Sequence, residues 1–210
     1  MSNIIEALNW RYGTQQFDTT KKLTEQQLTL LEEALRLAPS AYGLQPWHFF
    51  VIQNEDIRKT LREVAFNQPQ ITEASCLFVL AIQKNIDGNL VDQYMKSIIA
   101  TQSVSEESLE KFRTMIQNDI KKKGNLETNE WATRQLYLAL GIVLAAAAAE
   151  RIDTCPMEGF DREKFDKILD LESRGLESRV LVAAGFRAED DRALKKAKVR
   201  YSEDELFSVV

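Results

Sequence analysis

Residues 76–82 read Cys-Leu-Phe-Val-Leu-Ala-Ile, an unbroken apolar run. A strand with one wet face alternates apolar and polar residues, so a short continuous run of this kind suits a central strand covered on both faces. Two further segments can flank it. Trp47 to Gln53 (WHFFVIQ) is aromatic and β-branched, and Ser178 to Phe186 (SRVLVAAGF) is a second buried-strand pattern. Most of the remaining chain has helical periodicity. The class is therefore α+β, with helices surrounding a small sheet.

The helix signals are local and physical. In Leu23-Thr24-Glu25-Gln26-Gln27-Leu28, Thr24 is the N-cap, Gln27 its reciprocal partner, and Leu23 and Leu28 a hydrophobic staple. Leu28, Leu31 and Leu35 follow on one face until Pro39 stops the helix. Asn54 is placed to cap a helix carrying Ile57, Leu61 and Val64. Amphipathic helices are expected at about 91–102 and 104–121, with Gly124-Asn125 as the separator. The longest helix is expected over about 129–151; its stretch LALGIVLAAAAAE is apolar around most of its circumference, which fits a large core or a subunit interface. The final EDELFSVV ends in a strand-like apolar tail with no adjacent hairpin partner, so its expected partner is distant, on this chain or another.

The composition excludes several functions. The chain has 210 residues, 44% hydrophobic and 28% charged, enough for one domain over 1–210 with a sizeable core. A net charge of -5 argues against nucleic-acid or anionic-membrane partners for the chain as a whole. Cys76 and Cys155 lie far apart, so no disulfide framework is expected and a reduced, cytoplasmic setting fits. No targeting segment is read at the start, and the apolar stretches look too short or too interrupted to span a bilayer. A single histidine, His48, leaves no His-rich metal site, catalytic triad or HExxH pattern. His48 is expected to be structural, its ring held by a local hydrogen bond at the start of a strand. Neither GxGxxG nor a P-loop is present, so a phosphorylated ligand would have to be held by side-chain cations.

Two basic places offer them. Arg11, Gly13 and Thr14 follow the first short helix. Lys198 and Arg200 stand two apart and face one side of an extended chain. Taken singly, Arg11 also reads as an ordinary surface or salt-bridged arginine, and 195–200 as a solvated basic run.

In order and spacing, NWRYGTQQFD, APSAYGLQPWHFFV, NQPQITEAS, NEWATRQLYLALG, CPMEGFD and KKAKVR together resemble the FMN-dependent nitroreductase family, in its oxygen-insensitive NAD(P)H nitroreductase branch. The resemblance covers nearly the whole chain. It implies a mostly antiparallel central sheet and an intertwined homodimer with the C-terminal strand exchanged to the partner. It also implies hydride transfer from NAD(P)H to FMN and on to a nitroaromatic, quinone or similar electron-poor acceptor by a ping-pong scheme. By the same resemblance, Arg11, Lys198 and Arg200 hold the FMN phosphate. Tyr12, Gly13 and Thr14 line the ribityl and phosphate end, with Gln15, Asn67 and Gln70 near the ring and ribityl chain. Pro39, Ser40 and Gly43 reach FMN from the other subunit, and the loop Pro156, Met157, Glu158, Gly159 lies against the ring. Phe112 and Tyr42 are substrate-side candidates, Phe112 fitting equally as a helix core residue. Gln15 and Gln70 depart from lysines common in the family, which should lower the flavin potential. A reductase of another acceptor, such as dihydropteridine or free flavin, and a non-catalytic flavin binder share these contacts.

Overall fold

The computed structural model describes residues 4–210. In chain order its elements are α1 (Ile4–Trp10), α2 (Glu25–Arg36), β1 (Trp47–Ile52), α3 (Glu55–Glu63), α4 (Gln70–Glu73), β2 (Cys76–Gln83), α5 (Gly88–Gln102), α6 (Glu106–Lys122), α7 (Asn125–Ala149), β3 (Asp153–Met157), α8 (Arg162–Ile168), β4 (Leu176–Gly185) and α9 (Glu203–Leu206). The strands form one antiparallel sheet in the order β1-β2-β4-β3.

The 76–82 run is the inner strand β2, paired on both sides. Its side chains alternate between two cores. Phe78, Leu80 and Ile82 join Leu31 and Leu35 of α2, Met95 of α5 and Leu136 of α7 on one face. Leu77 and Val79 join Leu61 of α3, Ile71 of α4 and Phe165 of α8 on the other. Burying a side chain such as Phe78 contributes ~1.5–3 kcal/mol, so β2 anchors both layers.

The Thr24 capping box forms as the sequence predicts: Gln27 N–H donates to Thr24 Oγ1 at 3.2 Å, and Thr24 N–H donates to Gln27 Oε1 at 3.0 Å. Asn54 Oδ1 caps α3 through Asp56 and Ile57 N–H, both at 3.0 Å. Glycine is required at Gly185, the end of β4. A Cβ there would come within 2.9 Å of the Ser75 backbone nitrogen.

Four expectations are corrected. By length and composition α7 does meet the measure of a bilayer-spanning helix, but Ala132, Leu136, Ala139, Val143 and Ala147 pack in the core against the sheet. The segment carrying Pro156 and Met157 is not loop but strand β3; its position at the sheet edge is where a residue without N–H is tolerated. In the tail, Glu203–Leu206 is a helical turn closed by a Ser202–Glu205 capping box, and among the described residues no strand pairs with 207–210. The His48 ring is held by a hydrogen bond, but from a partner distant in sequence: its Nε2 lies 3.1 Å from Arg174 Nη2, and its ring tilts against Phe50.

Candidate functional site

The two ends of the chain meet beside the sheet edge. Residues 11–14 run past β3, with Gly13 bridging Thr154 in parallel, and Phe17 bridges Arg187 just beyond β4. Against this segment lies the 191–200 arm. Between them is a cavity of about 410 Å³ lined by Trp10, Arg11, Tyr12, Gly13, Arg187, Lys196, Lys198 and Arg200, among others.

Its cations are short of partners. Arg187 is neutralised: its guanidinium pairs with Asp153 at 2.6 Å and stacks 4.1 Å from the Trp10 ring and 4.5 Å from Tyr12. Arg11, Lys198 and Arg200 form no ion pair with a carboxylate among the described residues, and the Arg11 Nε is buried without an acceptor. Burial and then the like charge of Arg200 depress the Arg11 pKa. Burial, Arg11 and Arg200 do the same to Lys198. The Lys198 ammonium donates to the carbonyls of Leu8 and Arg11 at the end of α1, using two of its three donors. Three cations held together without counter-charge form a ready anion site.

A chain of contacts runs from this cavity across the end of the sheet. Gln15 Nε2 donates to Gly13 O at 3.0 Å, which fixes the orientation of its amide. Gln70 Nε2 in turn donates to Gln15 Oε1 at 3.3 Å, and the buried Gln70 Oε1 has no donor. In the turn ahead of α4, Phe66 and Asn67 both have φ 54°. Gln68 Nε2 donates to Gly159 O at 2.6 Å, tying that turn to the exposed Glu158–Gly159 segment after β3. Tyr137 of α7 donates to Glu158 Oε1 at 2.5 Å. Bonds and chain continuity thus connect Arg11 through Gln15 with Gln70, and the 66–68 turn with Gly159, in an arc that Lys198 and Arg200 join at the cavity.

Two tyrosines and a thiol beside the arc stay protonated at neutral pH. Desolvation lifts Tyr12 and Tyr137 to about 12 and the Cys155 thiol to about 11. Thr14 is fully buried, 3.5 Å from Asp153.

The remaining candidates lie elsewhere in the chain. Ala41 N–H, between Ser40 and Tyr42, donates to Gln135 Oε1 of α7 at 2.8 Å, and Ser40 Oγ accepts from Gln45 N–H at 2.9 Å. Tyr42 (φ 60°) donates to Asp119 of α6 at 3.1 Å. Gly43 has φ 77°, a conformation that favours glycine, and a Cβ there would fall 2.1 Å from the Tyr94 hydroxyl, forcing that ring to move. Phe112 is half-buried on α6 and packs against the core, as does Tyr42. Pro39, Ser40, Gly43, Tyr42 and Phe112 do not line the basic cavity.

Sequence reasoning missed Arg187, Asp153 and Phe66, and read Lys196 only as part of the basic run 195–200. Asp153 carried no signal, because β3 itself was hidden. Phe66, 75% exposed beside Asn67, stands next to Gly159 and was visible only as an aromatic preceding NQPQ.

Fold and cavity together define an α+β protein that gathers three cations without carboxylate partners, among the described residues, around one cavity. The Nitroreductase family model matches residues 8–186, and the chain belongs to that family of oxidoreductases. It is 34% identical to a Staphylococcus epidermidis protein named by inference an NAD(P)H nitroreductase, over 98% of this chain and 96% of that one. In structure it is similar to a nitroreductase, so described by inference, from Bacillus subtilis (TM-score 0.88, 20% identity, 98% of each chain). It is also similar to an Exiguobacterium sibiricum protein, described likewise, in complex with FMN (TM-score 0.84, 22% identity, 100% of this chain and 98% of that one).

Proposed function

We propose that the chain is an FMN-dependent NAD(P)H oxidoreductase, a single nitroreductase-like domain over 1–210, acting in the cytoplasm as a homodimer. The observation that carries this reading is the convergence of Arg11, Lys198 and Arg200 with no carboxylate to neutralise them. A phosphate monoester dianion fits such a cluster, with Arg11 and Arg200 as guanidinium donors and Lys198 giving its remaining N–H.

The arc leading away from the cavity supplies the other contacts. Tyr12, Gly13 and Thr14 follow the ribityl end; Gln15, Asn67 and Gln70 take the ring's polar side; the Pro156–Gly159 segment lies against the ring. Bound there, FMN would supply the hydride-accepting and hydride-donating chemistry that links NAD(P)H to a nitroaromatic, quinone or similar electron-poor acceptor in a ping-pong scheme. The chain's own part is positioning. Its tyrosines and Cys155 keep their protons at neutral pH, so none is a base or nucleophile on the arc. The Gln15–Gln70 amide pair orients through Gly13 O and brings no positive charge to that side.

Pro39, Ser40 and Gly43 are assigned to the partner's cofactor, and Tyr42 and Phe112 to the acceptor side. Exposed apolar residues on α1 (Ile4, Ile5, Leu8) and α7 (Leu138, Ile142), with Phe207, Val209 and Val210 of the tail, support burial against a second copy with exchange of the tail.

The test is colour and bleaching. Apoprotein should turn yellow with FMN, and NADH or NADPH should bleach it without oxygen until an acceptor is added. Protein that fails to retain FMN sinks the cofactor assignment; a yellow protein that neither nucleotide bleaches is a binder, not a reductase. Sedimentation equilibrium showing only a 24.0 kDa species would reject the dimer.

A further inference from the structure

Asp191 is 2% exposed, yet it forms no ion pair among the described residues. Its carboxylate is satisfied by neutral donors alone. Oδ2 accepts from the Tyr12 hydroxyl and from Gln15 N–H, both at 3.0 Å, while Oδ1 accepts from Ala193 N–H at 2.9 Å. A buried carboxylate without a cation costs several kcal/mol unless its lone pairs are filled, so this one is held in place by the bonds it accepts. The bond from Ala193 is a local turn, and the two from Tyr12 and Gln15 join segments far apart in sequence. One is the 12–15 stretch next to Arg11; the other opens the arm that carries Lys198 and Arg200.

Besides Asp191, one other residue of the arm bonds to the body among the described residues. Between Asp191 and Lys198 the hydrogen bonds stay within the arm, from Leu194 N–H to Asp191 O at 3.0 Å and from Lys196 N–H to Ala193 O at 3.1 Å. The arm has no helix or strand before Glu203, and residues 195–200 are exposed. Lys198 is the second fastening, at the carbonyls of Leu8 and Arg11. It carries a charge repelled by Arg11 and Arg200, whereas Asp191 brings a charge of the opposite sign to the same neighbourhood. Tyr12, which Asp191 grips, is itself covered by the Asp153-paired guanidinium of Arg187, so the fastening reaches the sheet.

We propose that Asp191 is the positioning residue of the anion subsite, a buried latch that docks the 191–200 arm on residues 12–15 and thereby sets Lys198 and Arg200 opposite Arg11. The inference rests on the reading of the basic cavity as a phosphate subsite. Because its three acceptor bonds are spent on neutral donors, Asp191 orders the cations without sitting among them as their counter-ion.

The experiment compares two ligands that differ only in the phosphate, FMN and riboflavin, titrated into apoprotein and read by quenching of flavin fluorescence. Wild type should prefer FMN. Asp191→Asn presents an amide N–H₂ toward donors, frees the arm, and should raise the Kd for FMN ~10–100-fold while riboflavin stays within about twofold. Tyr12→Phe, which removes one of the three bonds, should lower the FMN preference by roughly 3–10-fold, and it carries the test if Asp191→Asn does not fold. Preference for FMN retained in the folded variants, or a parallel loss of both ligands, overturns the latch and leaves the phosphate reading standing. Wild-type protein that binds riboflavin as tightly as FMN overturns that reading and the latch with it.

Discussion

Arg58 and Arg11 are both partly desolvated arginines without a carboxylate partner, and their surroundings could hardly differ more. Arg58 is 3% exposed and donates to three backbone carbonyls: Ile71 O at 2.6 Å, Ala74 O at 2.5 Å and Ser75 O at 3.2 Å. It plugs the end of α4, where helix carbonyls lack partners and the helix dipole is negative. Arg11 has a buried Nε with no acceptor, one long 3.5 Å bond to Tyr12 O, and two further cations beside it. An unpaired arginine is structural where backbone acceptors fill its fork, and marks a ligand site where they do not.

The contrast can be broken from its structural side first. Arg58→Ala orphans three carbonyls at about 1–3 kcal/mol each, and should cost ~3 kcal/mol or more of stability in urea unfolding, with the FMN preference of the folded fraction unchanged. Arg200→Ala should do the reverse. FMN affinity should fall ~10–100-fold, while the apoprotein melts at the wild-type temperature or slightly above it, since a like charge has gone. A drop of several degrees would move Arg200 into the class of Arg58. Inorganic phosphate should raise the melting temperature of wild-type apoprotein by roughly 1–3 °C at tens of millimolar, and should not do so for Arg200→Ala.

The smallest effect sharpens the comparison with a third arginine. Arg174 donates to His48 and covers the Phe50 ring at 4.7 Å. Desolvation and then Arg174 hold the His48 imidazole below its ordinary 6.5. A base with a depressed folded pKa contributes stability that is complete above 6.5 and is lost as pH falls through the folded value. At this exposed position the loss should be a few tenths of a kcal/mol. Equilibrium unfolding at pH 7.5 and pH 5 should show it in wild type, and His48→Gln, which keeps an acceptor, should be flat over the same range.

Legibility in the sequence followed the same division. β2 and β4 were readable because two-sided burial writes continuous apolar runs, β1 because its residues are aromatic and β-branched, and the Thr24 and Asn54 caps because they are satisfied within a few residues. β3 was hidden: at the sheet edge it tolerates Asp153, Thr154 and Pro156, which together read as loop. The tail's apolar residues read as strand, but Ser202 and Glu205 close a local helical turn ahead of them. In the site, Arg11, Lys198 and Arg200 were visible as charges and grouped by resemblance. Asp153, Arg187 and Asp191 were not, because their meaning lies in pairings that bridge 34 to 179 positions of chain.

The bridges of Gly13 to Thr154 and of Phe17 to Arg187 have a consequence for synthesis. Residues 11–17 leave the ribosome some 140 residues before the strand they lie along, and the arm that faces them comes later still. The sheet can close before the arm exists; the basic cavity cannot. Arg11 therefore waits through the synthesis of β4 and the arm for Lys198 and Arg200, and a chain halted between Gly185 and Lys198 would own a hydrophobic core without the cation cluster.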